Sequence, residues 1–134
     1  MDQHVDGKCP TERYDTKHTD GHFVRTVAEF RNWITPDGSA GPSGTGGFKA
    51  EAGRYHLYVS AACPWAHRTL IFRKLKQLEQ YISVDFVHPD MLNDGWTFNK
   101  DGVAQGDSLF NTEFVRDIYL KEKPEMTGRI TEVL

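Results

Sequence analysis

Of the residues able to do chemistry, the cysteines are the most informatively placed. There are two, Cys9 and Cys63, and the second lies within "RYHLYVSAACPWAHRTLIFRKLK" (54–76), between an apolar run and an amphipathic basic stretch. Pro64 follows it directly, and proline suits the first position of a helix, where its missing N–H costs nothing. Cys63 is therefore expected at a helix N-cap, just past the C-terminal end of a strand. Unsatisfied N–H groups and the helix dipole favour negative charge there. Such a site stabilises a thiolate, making the sulfur a better nucleophile at neutral pH and a better leaving group. His67 and Arg68, one turn further on, add to the positive field. The alternative is a cysteine acting as a small buried hydrophobe. A strand-to-helix turn is expected to expose its N-cap, which favours the chemical reading.

The type of thiol chemistry follows from what surrounds Cys63. Cys63 and His67 share a helical face, but no second pair completes a tetrahedral metal site. Position 66 is Ala, so there is no Cys-x-x-Cys pair and no resolving cysteine nearby. The partner thiol must come from outside, which points to a small-thiol cosubstrate such as glutathione.

The elements that must position Cys63 are legible around it. "RYHLYVS" (54–60) reads as a buried strand. Ala66, Leu70, Ile71, Leu75 and Leu78 recur at helical spacing, with Arg73, Lys74 and Lys76 near the C-terminal end, where positive charge suits the dipole. "YISVDFVHP" alternates Ile82, Val84 and Phe86 in a second strand closed by Pro89. After the Gly- and Asn-rich loop "NDGWTFNKDGVAQGD", a second helix is expected from about Ser108 to Lys121, with Leu109, Val115 and Ile118 inward. "GRITEVL" starts a further strand. This β-α-β-α-(β) order predicts an α/β layer with parallel strands. Residues 1–50 read as an N-terminal arm, with "TPDGSAGPSGTGG" (35–47) a flexible loop. Phe23, Val27, Phe30 and Trp33 could form one apolar patch that straps the arm to the body.

Composition narrows the class. The 134 residues carry a formal net charge of -3, against a nucleic-acid-binding role. The basic cluster Arg68, Arg73, Lys74 and Lys76 is a small footprint on one helix. No apolar run approaches a membrane span, the polar N-terminus does not read as a signal peptide, and two cysteines make no disulfide framework. A reducing, cytoplasmic setting without membrane or nucleic-acid partners is expected.

The strings "YHLYVSAACPWAHRTLIFRKLKQLE", "GWTF", "GD" and "TGRIT", in that order, closely resemble the glutathionyl-hydroquinone reductases, the Xi-class glutathione transferases related to the omega class. The resemblance spans roughly residues 20–131. It implies an α/β thioredoxin-like fold, that of a glutathione transferase N-terminal domain, over 51–134. It also implies Cys63 as the nucleophile and a glutathione site including Trp96, Arg129, Ile130, Thr131 and Glu132, with no metal. Glutathionylated quinones become the substrates and a homodimer the form of full-length members. A general thiol transferase or dehydroascorbate reductase would use the same Cys63, and an inactive fragment is the third possibility. From the residues alone, Trp96 could equally pack on core, and Arg129 could be a solvated arginine before a strand. The chain departs from the family after Thr131: Glu132 stands where valine is expected, and the cis-proline, the γ-glutamyl clamp and the all-helical second domain do not follow. An incomplete domain with weak affinity for glutathione is the corresponding expectation.

Overall fold

The computed structural model describes residues 17–24, 27–91, 94–98 and 101–126. In chain order its elements are β1 (Trp33–Thr35), β2 (Gly47–Lys49), β3 (Tyr55–Ser60), α1 (Pro64–Leu75), β4 (Ile82–Val87) and α2 (Val115–Glu122). β3 and β4 pair in parallel from Tyr55↔Ile82 to Ser60↔Val87, as a strand–helix–strand unit requires. The "GRITEVL" segment lies outside the described residues.

Side-chain alternation along this pair builds two cores. On one face Val59, Cys63 and Ala66 are buried together, with Leu57, Leu70, Val84 and Phe86 packed around them. On the other, Val87, Trp96, Phe98 and Val115 form a second cluster with Tyr58, Met91, Ile118 and Tyr119. α1 thus covers one face of the strand pair, and α2 with the loop before it covers the other. Val59 is fully buried, so Val59→Ala should lower stability by about 2 kcal/mol. Chemical denaturation checks this; a midpoint shift within error would show that the α1 face is loosely packed.

α1 starts where its spacing predicts but ends at Leu75, in a Schellman motif that leaves Leu78 beyond the helix. Gln77 takes φ 55, its N–H bonds Lys74 O, and the Leu78 N–H bonds Arg73 O at 2.9 Å. The expected inward face is only partly realised. Ala66 is buried and Leu70 partly so, but Ile71 is exposed and Leu75 is 70% exposed. Two strands offer the helix a narrow bed, and side chains one helical step from the Ala66–Leu70 line miss it. The basic stretch is not a free cationic face either. Arg73 bonds the carbonyls of Ile82 and Glu79, Lys74 pairs with Glu79, and Arg68 stacks on Trp65.

α2 starts later than expected, at Val115 rather than Ser108. The Asp107 carboxylate collects the N–H groups of Leu109, Phe110 and Thr112, and Asn111 turns left-handed at φ 55. That turn cannot continue as a helix, and Leu109 stays 54% exposed instead of pointing inward. A fresh helix begins where Asp117 reaches back to the Phe114 N–H at 3.2 Å, half of a capping box.

The arm holds more structure than its composition predicts. β1 and β2 pair in parallel on either side of the Gly/Ser/Pro loop. Asp37 accepts from both the N–H and the hydroxyl of Ser39, and Ser43 bonds Arg31 O. Gly41 and Gly47 are needed for close approach, since a side chain at either would collide with Trp33 or the Ser39 carbonyl. The arm meets the body through Phe30, edge-on to Tyr119 at 5.0 Å, and through a Glu29–Lys123 ion pair at 2.6 Å. Phe23, Val27 and Trp33 remain exposed.

Candidate functional site

Cys63 stands where its sequence context predicts. It is the N-cap of α1 in an extended conformation, with Pro64 opening the helix. Its N–H bonds Ser60 O at 3.1 Å, and its carbonyl accepts the first helical bond from the His67 N–H. The turn is braced by Ser60, fully buried, whose hydroxyl oxygen accepts the Ala62 N–H at 3.2 Å. The expected exposure of the N-cap is corrected: Cys63 is 4% exposed, its side chain held between Val59 and Ala66. No hydrogen bond joins its sulfur to the helix N–H groups. The thiol is therefore free in the covalent sense, and the first-turn donors are not spent on it. His67 is exposed, and the Arg68 guanidinium lies 4.2 Å from the Trp65 ring centre.

Trp96 lies near the carboxyl end of β4, in the opposite core, against Val87, Phe98 and Val115. Its packing on core is a structural fact: it is 7% exposed. Yet its buried indole N–H finds no acceptor among the described residues, which is costly for a group out of water. Cys63 and Trp96 both sit towards the carboxyl ends of the parallel strands, where open α/β sheets place their ligands, but in different packing clusters. Arg129, Ile130, Thr131 and Glu132 lie outside the described residues, as does Cys9.

A polar network escaped the sequence reading. Asp107, 5% exposed, accepts from the Tyr58 hydroxyl at 2.9 Å, from three backbone N–H groups and from the Thr112 hydroxyl. Burial pushes its carboxyl up, but the donors of Thr112, Phe110 and Leu109 outweigh that and hold it well below the usual carboxylate range. Burial, with the Asp107 carboxylate second, pushes the Tyr58 phenol up, so it stays a neutral donor. Beside it, Asp85 Oδ2 accepts the N–H and hydroxyl of Ser108, both at 2.7 Å. His56 Nε2 is 3.0 Å from the same oxygen but off the line of a directed hydrogen bond, and its Nδ1 meets Ser83 Oγ at 2.6 Å. The signal was present in the strand alternation, where His56, Tyr58, Ser83 and Asp85 share one face with Ser60 and Val87.

Comparison with known proteins fits this geometry. No protein-family profile matches the sequence. Glutathionyl-hydroquinone reductase YqjG of Escherichia coli is 56% identical over 132 residues, 98% of this chain and 40% of its own length. The chain resembles the N-terminal part of a Xi-class glutathione transferase. The glutathione-bound YqjG structure matches it with a TM-score of 0.74 over 81% of this chain and 36% of that one. A Xi-class transferase from Natrialba magadii, 40% identical, gives 0.74 over 99% of this chain and 37% of its own. Glutathionyl-hydroquinone reductase PcpF of Sphingobium chlorophenolicum is 40% identical over 127 residues. The shared architecture is the thioredoxin-like α/β fold, and the chain spans 40% and 37% of the two reductases' lengths. Among the described residues, no helix is long and apolar enough to cross a membrane.

Proposed function

We propose that the chain carries the nucleophile and part of the glutathione site of a glutathionyl-hydroquinone reductase. The observation that supports it best is Cys63, unbonded through its sulfur at the N-terminus of α1, in a chain 56% identical to YqjG over 132 residues. The Cys63 thiolate attacks the glutathionyl sulfur of the substrate, and the bond from that sulfur to the ring carbon breaks. The ring carbon keeps the electron pair and takes a proton, so the hydroquinone leaves and Cys63 holds a mixed disulfide. A second glutathione thiolate then attacks this disulfide, giving oxidised glutathione and the Cys63 thiolate. Glutathione is the two-electron reductant, and the pattern is ping-pong. A reducing cytoplasm, which keeps Cys63 free and supplies glutathione, suits this chemistry, and a homodimer is the assembled form this reading carries.

In the same reading Trp96 contacts glutathione, with its orphaned N–H as the donor, while the segment Arg129–Glu132 supplies the charged anchor. Arginine pairs bidentately with a carboxylate, as an anionic tripeptide requires. The experiment is Trp96→Phe. Phenylalanine keeps an aromatic ring in the cluster and removes the buried unpaired donor, so thermal stability should change little. Glutathione affinity, read by calorimetry, should weaken about tenfold, the loss of one good hydrogen bond. Unchanged affinity would remove Trp96 from the site.

A further inference from the structure

The Trp96 segment is not part of a sheet; its backbone is held from two sides. The His88 N–H bonds Thr97 O at 2.9 Å, and residues 113–115 run antiparallel to it through Phe98 N–H to Glu113 O at 2.8 Å and Val115 N–H to Trp96 O at 3.0 Å. The Thr97 hydroxyl adds a bond to Glu113 O at 3.1 Å. Glu113 therefore receives two of the bonds that fix Trp96. The residue before Glu113 is itself held. Thr112 gives both its N–H and its hydroxyl to Asp107 Oδ2, at 3.0 and 2.8 Å, while Oδ1 takes Tyr58, Leu109 and Phe110.

We propose that Asp107 is a positioning residue for the glutathione site, acting through Thr112 and Glu113 to hold the Trp96 indole in place. The proposal rests on the glutathione reading for its functional half only. The two carboxylate oxygens divide the work: Oδ1 ties the turn to β3 through Tyr58, and Oδ2 holds Thr112, the residue leading into the strand-like stretch that supports Trp96. Asp107→Asn is thus a selective lesion, since an amide keeping its oxygen at the Oδ1 position turns an NH₂ towards two donors.

The test uses the 134-residue chain with Trp33→Phe and Trp65→Phe, which leaves Trp96 as the sole tryptophan, excited at the red edge where tyrosine does not absorb. In this background Asp107→Asn should make Trp96 about threefold more quenchable by acrylamide and weaken glutathione binding about tenfold. Val84→Ala, in the opposite core, provides a matched destabilisation and should leave Trp96 quenching as it was. Thr112→Val should shift quenching in the same direction by less, and Thr112→Ser should restore it. Quenching unmoved in Asp107→Asn, or moved equally by Val84→Ala, would overturn the proposal. If quenching rises while glutathione affinity holds, Asp107 still positions Trp96, but Trp96 as a glutathione contact is refuted.

Discussion

Replacing Cys63 by serine should abolish glutathionyl transfer while leaving the fold intact. Serine is among the best N-cap residues, and its hydroxyl can accept from the first-turn N–H groups that the sulfur leaves unbonded. That gain offsets the cost of placing a hydroxyl between Val59 and Ala66, so the thermal midpoint should stay close to that of the native chain. The chemistry has no such compensation. An alkoxide is scarcely populated at neutral pH, and an oxygen cannot form the mixed disulfide from which glutathione is later displaced. Turnover in a protein that supports it should fall at least about a thousandfold, roughly 4 kcal/mol of transition-state stabilisation. Mass spectrometry after exposure to a glutathionyl-hydroquinone should show the glutathionyl adduct on the native chain and none on the variant. An adduct persisting on Cys63→Ser would move the nucleophile elsewhere, with Cys9 the first residue to examine.

What could be read from the sequence and what could not divide along physical lines. β3, α1 and β4 are legible because local pattern and tertiary need agree: an apolar run, Pro64 at the first helical position and alternation at Ile82, Val84 and Phe86. The position of Cys63 follows from them, although its burial does not, because the neighbours that cover it are set by packing. The start of α2 was hidden because Ser108 to Lys121 has helical composition, while a single carboxylate, Asp107, imposes a competing turn that Asn111 closes. β1 and β2 were hidden by glycine. Gly41 and Gly47 signal flexibility in a sequence, yet here they serve close approach to Trp33 and Ser39. The polar face of β3 and β4 was passed over for another reason. Tyr58 and Asp85 are satisfied by Asp107 and Ser108, far along the chain, and spacing within one strand carries no trace of such partners.

The Asp107 hub should make the chain's stability fall in acid in a way that one substitution removes. Its carboxyl is held well below the ordinary range: burial opposes this, but the Thr112 N–H and hydroxyl and the N–H groups of Phe110 and Leu109 prevail. A depressed value means that the folded chain binds the proton more weakly than the unfolded chain does. The stabilisation is therefore complete above the unfolded carboxylate value of about 3.9, and it is lost progressively as the pH falls from there towards the folded value. Asp107→Asn has no charge to lose, so it lacks this component at every pH. At pH 7 the variant should be about 2–3 kcal/mol less stable, the worth of charge-assisted hydrogen bonds replaced by an amide with one misdirected end. Below about pH 4 the two stability curves should draw together, because only the native chain loses the Asp107 contribution. Asp37, also held low by its Ser39 hydrogen bonds, titrates in both proteins and cancels from the difference. Tyr58→Phe removes one donor to Asp107 Oδ1 and should reproduce a smaller part of the neutral-pH loss, with the curve still falling in acid. Thermal midpoints across this pH series measure all three, and curves for the native chain and Asp107→Asn that stay parallel down to pH 2 would show that the carboxylate's charge does not hold this turn.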